Sequence, residues 1–454
     1  MNSLRRPFQV AAAAGVLFAG GWGSACADEV SRGVPRFVHV IGPDGRGVSS
    51  YAVDGGSGQV RRNGHVLTGA RPTSITVDLS GRFAYVANLR SNDVSAYCID
   101  ETGTLSAVPG SPFRTGGTQP FAVTLDPSGK FAFVANQFSN TISAFRIDAA
   151  TGALSAVAGS PFRAGTRPFS VTLDSSGKFA YVANQGSNDV SVYAVDAQTG
   201  ALSAVAGSPF KSGTNPRLVT IDPSRRFAYV ASNASDSVWA YRIDQAGGAL
   251  SAVPGSPFAA GRGAVSVTLD RSGKFAYVTN QFSGTISAYR VDAATGALSA
   301  VAGSPFPAGK FPSSVTMDPL GKFAYVANFF SNNISVYRLD GATGALQAVP
   351  GSPFATKATP VSVSADPGGR FLYVANRTSN DVSAYRIDET TGTLSAVAGS
   401  PFAAGKEPGS IEVDPTGRFA YAANLSSNSV SSYTIDAATG TLTATTGSLR
   451  AANH

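Results

Sequence analysis

The hexapeptide Phe83-Ala84-Tyr85-Val86-Ala87-Asn88 returns with small variations at Phe131, Phe179, Phe227, Phe275, Phe323, Phe371 and Phe419, each time 48 residues further on. Eight copies in register mean that the chain solves one local folding problem repeatedly and must pack each solution against the next. A weaker copy, Phe37-Val38-His39-Val40, precedes the first by 46 residues, and Gly-Ser-Pro-Phe recurs seven times, starting at Gly110 and ending with the copy at Gly399.

Within one unit, residues 168–213, four strand-like runs alternate with turn residues. Ser170-Val171-Thr172-Leu173 ends at Asp174-Ser175-Ser176-Gly177, where an aspartate can bond the backbone and a glycine can take positive φ. Phe179-Ala180-Tyr181-Val182 sets two aromatics on one face and small or branched residues on the other, the pattern of a strand sandwiched between neighbours. Val190 to Val195 makes the third strand, Ala201 to Val205 the outer one, and Gly207-Ser208-Pro209-Phe210 begins the crossing to the next unit.

Four short antiparallel strands repeated at this interval suit radial packing, because every sheet then buries both faces against its neighbours. The expected fold is all-β: a β-propeller of four-stranded antiparallel blades, with eight full 48-residue repeats and a degenerate N-terminal copy. The front copy offers second, third and fourth strands near Phe37, Ser50 and His65 but no evident first strand. Nine blades with an imperfect seam are therefore favoured, and eight blades with the front copy appended are the alternative. Fifty glycines, 26 prolines and only 14% charged residues agree with short strands and tight turns.

The first residues read as an address. Arg5 and Arg6 precede an apolar run from Val10 to about Trp22, and Ala25-Cys26-Ala27 stands ahead of Asp28. This order predicts a cleaved export signal over 1–27 and a single propeller domain over 28–454, periplasmic or secreted. The twin-arginine route and the ordinary secretory route both remain open, and lipidation of Cys26 is a rival to cleavage after Ala27. A run of about 13 apolar residues is short for a spanning helix, so no transmembrane segment is expected after signal removal.

Removal takes two of the 35 basic residues and none of the 28 acidic ones, leaving a net charge of about +5. The lysines and arginines are spread one or two per unit without a compact basic run, so nucleic acid is not an expected partner. Cys98 is left alone, which excludes an intramolecular disulfide, and a monomer is expected.

The run Asp126-Pro127-Ser128-Gly129-Lys130-Phe131-Ala132-Phe133-Val134-Ala135-Asn136, with Ser139 to Phe145 following, resembles the lactonase-type and YVTN-repeat β-propeller families over about residues 36–449. Members of the lactonase-type family include 6-phosphogluconolactonases, usually described as seven-bladed, so the resemblance implies the fold and leaves activity open. This chain departs from those enzymes in having more units. It also lacks the histidine, arginine and acidic residues they carry around the inner strands, where it reads Ser-Val-Thr-Leu-Asp or close variants.

Lactone hydrolysis needs a base to activate water and donors for the oxyanion. Of three histidines, His39 stands where other units have Tyr85 or Phe133 and reads as core, while His65 and His454 lie in irregular ends. No metal or cofactor is expected, because the histidines and Cys98 form no ligand cluster and the aspartates from Asp78 to Asp414, one per unit, sit in turns. Cys98 falls at a position expected to be exposed. Glu412 is the odd residue of the inner strands, replacing Thr76, Thr172 or Ser364, and Glu407 stands nearby. With the rim arginines, these two carboxylates are the only candidate catalytic machinery should the chain be a hydrolase.

A specific site on a ring of near-copies must use positions where the copies differ. They differ before the inner strand, at Arg71, Gln119, Arg167, Asn215, Gly263, Phe311, Thr359 and Glu407, and after the second strand, at Arg90, Phe138, Gly186, Ala234, Phe282, Phe330, Thr378 and Ser426. Both connections fall on one end of an antiparallel blade, so these residues should surround the channel mouth. The expected ligand-binding rim comprises Arg71, Arg90, Gln119, Arg167, Asn215, Arg217, Lys310, Phe311, Arg377 and Lys406. Mixed with Phe121, Phe138, Phe169, Phe282, Phe329 and Phe330, it suits a small anionic, aromatic or sugar-like ligand, or an acidic protein surface. A binding module is the favoured function; a lactone hydrolase acting outside the cytoplasm and a cell-surface structural protein are the alternatives.

Overall fold

Hydrogen bonding gathers the strands into nine antiparallel sheets, in a computed structural model that describes residues 16–19, 37–41, 47–78, 80–100 and 103–445. Blade 2 shows the plan: an inner strand Pro72–Val77, then Phe83–Asn88, Asp93–Ile99 and an outer strand Leu105–Ala107, paired in that order. The inner strands of blades 3 to 9 start at Pro120, Pro168, Pro216, Ala264, Pro312, Pro360 and Pro408. Blades 2 to 8 add a two-residue strand drawn from the Gly-Ser-Pro-Phe crossing, as where Phe162–Arg163 pairs with Thr141 and Ile142.

The turn chemistry is as the repeat predicts. Asp126 accepts the Phe131 amide at 2.7 Å through one oxygen and the Ser128 amide at 3.0 Å through the other. The same aspartate turn recurs at Asp78, Asp174, Asp222, Asp270, Asp318, Asp366 and Asp414, so these carboxylates hold the first reversal of their blades.

Alternation along the second strand decides which neighbour each side chain meets. Phe131 and Phe133 of blade 3 join Val171, Ala180, Val182 and Tyr193 of blade 4, whereas Ala132 and Val134 face Tyr85 and Ala87 of blade 2. Nine such apolar clusters occur among the described residues, one between each pair of neighbours, including blade 9 with blade 1 through Phe419, Tyr421, Val38 and Tyr51. Nine blades with nine interfaces make a closed ring. The seam is also held by polar bonds: the Tyr51 hydroxyl donates to the Asn428 carbonyl at 2.9 Å and Arg418 to the Gly56 carbonyl at 2.6 Å.

Each interface has the same lock. The first phenylalanine of a second strand lies over the glycine of the next blade's outer hairpin, Phe83 on Gly152 and Phe131 on Gly200, and the seam repeats it with Phe419 on Gly58. A β-carbon on these glycines would fall inside the ring, and φ at Gly200 is 77°. Inner strands are stitched by hydroxyls, as where Thr124 donates to the Val171 carbonyl at 3.1 Å and Ser170 to the Arg217 carbonyl at 2.7 Å. The Ser-x-Thr pattern thus serves ring closure.

Blade 1 differs from the expectation at one point. Its inner strand is present and comes from Val16–Ala19, inside the apolar run that reads as an export signal, pairing from Val16 opposite Val40 to Ala19 opposite Phe37. Arg5, Arg6, the Ala25-to-Asp28 junction, Cys26 and His454 lie outside the described residues. His39 is fully buried in the tyrosine position, with both ring nitrogens lacking a partner among the described residues. Burial lowers its pKa to about 4, so it stays neutral at physiological pH. Its ring is shorter than tyrosine, and the Ser50 hydroxyl takes over the bond to the Gly103 carbonyl at 2.6 Å. Cys98 corrects the expectation of an exposed thiol: it is half-buried against the core between blades 2 and 3, because the outer part of the third strand is flanked by the next blade.

Replacing Gly200 by alanine is expected to cost about 3 kcal/mol, from the steric conflict with Phe131 and the left-handed backbone together. Chemical denaturation of the variant measures it; an unchanged midpoint would show that the lock is not tight.

Candidate functional site

The variable position before each inner strand has an unexpected backbone. It is left-handed in all eight repeats, with φ of 57° at Arg71, 55° at Gln119, 53° at Arg167, 63° at Asn215, 59° at Phe311, 62° at Thr359 and 53° at Glu407. Only blade 6 places a glycine there, Gly263. L-residues other than glycine pay roughly 1 kcal/mol or more for this conformation. Seven of the eight repeats thus carry a side chain in a conformation that favours glycine.

At five of the seven side-chain positions the preceding blade holds the conformation. Asn92, left-handed at φ 60°, aims its side-chain oxygen at the Gln119 amide at 2.8 Å, and Asn140, Asn188, Asn332 and Asn380 repeat this to Arg167, Asn215, Thr359 and Glu407. Backbone bonds then join the two rim turns of one blade, Leu89 to Arg71 at 2.9 Å and Arg377 to Thr359 at 2.8 Å. Both families of variable residues therefore share one end of the ring, as the repeat implied.

Around this mouth the side chains form two aromatic groups. Phe311 lies 6.0 Å from Phe282, 6.0 Å from Phe329 and 5.0 Å from Phe330 between ring centroids, across blades 6 and 7. Phe282 and Phe330 remain mostly exposed, as does Phe138. The second group uses the residue after the inner-strand proline in three successive blades: Phe121 sits 4.7 Å from Phe169, and the Arg217 guanidinium lies over Phe169 at 5.9 Å. Beside it, Arg217 Nε, Asn215 Oδ1 and Asn233 Nδ2 are buried without hydrogen-bond partners among the described residues. Asn233 is not among the expected rim residues. Its signal is the Ser232-Asn233 pair, which breaks the Ala-Asn ending of the second strand.

Charge is distributed unevenly. Arg71, Arg90, Arg167, Lys310 and Lys406 are exposed or half-buried, and none of them forms an ion pair among the described residues. Arg377 is engaged instead, meeting Glu407 at 3.1 Å across blades 8 and 9. That bond, with another from Ser426, holds the Glu407 carboxyl below its ordinary pKa.

Glu412 is placed very differently. It lies opposite Tyr421 on the inner strand of blade 9, where its desolvation raises the carboxyl from 4.5 to about 7. At roughly 3.3 Å per residue, the five steps from Glu407, just before the strand, to Glu412 span roughly 16 Å at most. The two candidate carboxylates thus stand apart, one in an ion pair at the mouth and one desolvated deeper on the inner strand, titrating near neutrality.

Comparison with known proteins gives this geometry its relatives. The family model described as "Lactonase, 7-bladed beta-propeller" matches residues 35–111, 109–166, 157–257, 210–363 and 347–453. No curated protein matches. Among solved structures, a protein from Bacteroides uniformis carrying the provisional description 6-phosphogluconolactonase is 21% identical, with TM-score 0.51, covering 70% of this chain and 96% of its own. A second of the same description from Bacteroides fragilis is 21% identical, TM-score 0.51, covering 82% and 96%. Sqt1 of Saccharomyces cerevisiae reaches TM-score 0.51 at 14% identity, covering 71% and 84%, so the likeness extends to propellers of other description.

The Glu412 carboxyl makes stability depend on pH. Its folded-state pKa lies above the unfolded value, so the folded chain keeps a proton that the unfolded chain has released; the stabilisation is full below pH 4.5 and is lost as pH rises to about 7. The rise corresponds to at most about 3 kcal/mol. Denaturation of Glu412→Gln between pH 4 and 8 is expected to lack this decline, and identical pH profiles for both proteins would refute the assignment.

Proposed function

This chain belongs to the lactonase family of β-propellers, and from that membership we propose that it is an exported propeller that holds a small anionic, ring-bearing molecule at its channel mouth. The observation that carries this reading is the set of side chains kept in left-handed backbone around the mouth, unpaired Arg71 and Arg167 among them. Neighbouring phenylalanine faces supply stacking surface for a ring or a sugar, and the unpaired cations supply the complement for a carboxylate or phosphate. The address in residues 1–27 supports a periplasmic or secreted location. An acidic protein surface would satisfy the cations but leave the aromatic faces unused, so the small ligand is preferred.

A second reading rests on Glu412. A carboxylate titrating near pH 7 on the inner strand suits a general base: it would take a proton from water as the water oxygen bonds the lactone carbonyl carbon, and return it to the ring oxygen as that carbon–oxygen bond breaks. The family name favours this chemistry, and an exported protein would meet a sugar lactone outside the cytoplasm.

Two measurements separate the readings. Calorimetry with a panel of sugar acids and aromatic carboxylates is expected to find a ligand whose affinity drops about tenfold or more in an Arg71→Ala, Arg167→Ala double variant, as loss of charge-assisted bonds implies; unchanged affinity refutes the rim. With aldonolactones, the hydrolase reading expects wild-type turnover that rises through pH 7 and collapses in Glu412→Gln, while background rates in both proteins dismiss it.

A further inference from the structure

Blade 5 departs from the repeat on the face opposite the mouth, at two places that meet beside an unpartnered tyrosine of blade 4. The first reversal of a blade carries a left-handed glycine in seven units, Gly81, Gly129, Gly177, Gly273, Gly321, Gly369 and Gly417, with φ near 70° in each. In blade 5 the position is Arg225, still left-handed at φ 62°. The outer hairpin of the same blade reads Asp244-Gln245-Ala246-Gly247-Gly248 where others read Asp292-Ala293-Ala294-Thr295-Gly296. Gln245 uses its amide nitrogen to hold the Arg225 carbonyl at 2.7 Å, so the second departure fixes the first.

Across the interface stands a tyrosine of blade 4. Four core tyrosines of other blades, Tyr85, Tyr229, Tyr277 and Tyr373, donate to the glycine carbonyl of the next blade's outer hairpin at 3.1 Å. Tyr181, like Tyr325, is fully buried with a hydroxyl that finds no partner among the described residues. Together Tyr181, Lys178, Ser176 and Asp174 of blade 4 and Arg225 and Gln245 of blade 5 line a cleft of about 100 Å³. Its donors are free while its acid is occupied. Neither the Lys178 ammonium nor the Arg225 guanidinium has a partner among the described residues, whereas Asp174 accepts the Ser176 and Phe179 amides at 3.3 and 3.0 Å. Burial raises the Tyr181 hydroxyl above its ordinary pKa, which keeps it a donor.

We propose that this cleft between blades 4 and 5 binds a small oxyanion, the carboxylate or phosphate group of a small molecule, through Lys178, Arg225 and the Tyr181 hydroxyl. The geometry supplies two cations and one orphaned donor against a single engaged carboxylate, a balance that a cation or an apolar ligand would not satisfy. The site is separate from the mouth and stands whatever the mouth holds.

The test uses the full chain and follows its thermal midpoint in inorganic phosphate or in acetate, with chloride at matched ionic strength as the blank. A rise in phosphate, acetate or both, beyond chloride, is expected, and the more effective anion identifies the ligand group. Arg225→Gly restores the repeat glycine, so it should raise the midpoint in chloride while weakening the anion effect about tenfold or more; a purely structural arginine would move stability alone. Tyr181→Phe should weaken anion affinity about tenfold without lowering the midpoint in chloride. Tyr325→Phe removes another hydroxyl of this series that lacks a partner, outside the cleft, and should leave the affinity unchanged. Equal responses of the wild type and Arg225→Gly, or no anion-specific rise in the wild type, would overturn the proposal.

Discussion

The ring depends on one contact made nine times: a phenylalanine packed tightly against a glycine of the next blade. The pairing is directional, since the aromatic always belongs to the earlier blade and the glycine to the later one. A blade with both partners must therefore have a neighbour on each side, and a linear stack would leave one ring uncovered and one glycine bare. Closure satisfies both at Phe419 and Gly58. Around this contact, tyrosine, valine and alanine fill the remaining volume, and the hydroxyls of the inner strands tie the narrow end of each wedge to the next. Apolar burial holds the ring, and small residues decide where it can close.

Much of this architecture is legible in the residues alone. The 48-residue interval, the aspartate turns and the aromatic alternation all state local requirements in residue types that have few other uses. The inner strand of blade 1 is not legible, because Val16–Ala19 carries none of the Ser-x-Thr pattern that marks the other inner strands and reads as part of a leader. The rim is legible as a location, but its backbone is hidden. Left-handed residues are usually announced by glycine, and here Arg71, Gln119 and Thr359 take that conformation, the latter two because an asparagine of the preceding blade dictates it. Arg225 is hidden for a related reason: an arginine standing where a glycine belongs looks like surface variation until its φ is known.

The two candidate carboxylates are set apart by their surroundings. Glu407 is ionised and tied to Arg377, an arrangement that fixes the rim between blades 8 and 9. Glu412 has lost water without gaining a cation, which leaves it close to half-protonated at neutral pH. Glu407 just before the inner strand and Glu412 within it thus carry opposite pKa shifts, one set by a guanidinium and the other by desolvation. In a ring whose units otherwise repeat, such contrasts mark where blade 9 has been individualised.

The strand Val16–Ala19 ties the assembly of the wheel to the history of its N-terminus. A peptidase cutting after Ala27 would strip the axle-facing wall from one spoke while eight kept theirs, uncovering the main-chain edge of Phe37–Ile41 beside the wedge that carries Glu412. Precursor and processed forms would then differ in the inner wall of that one blade.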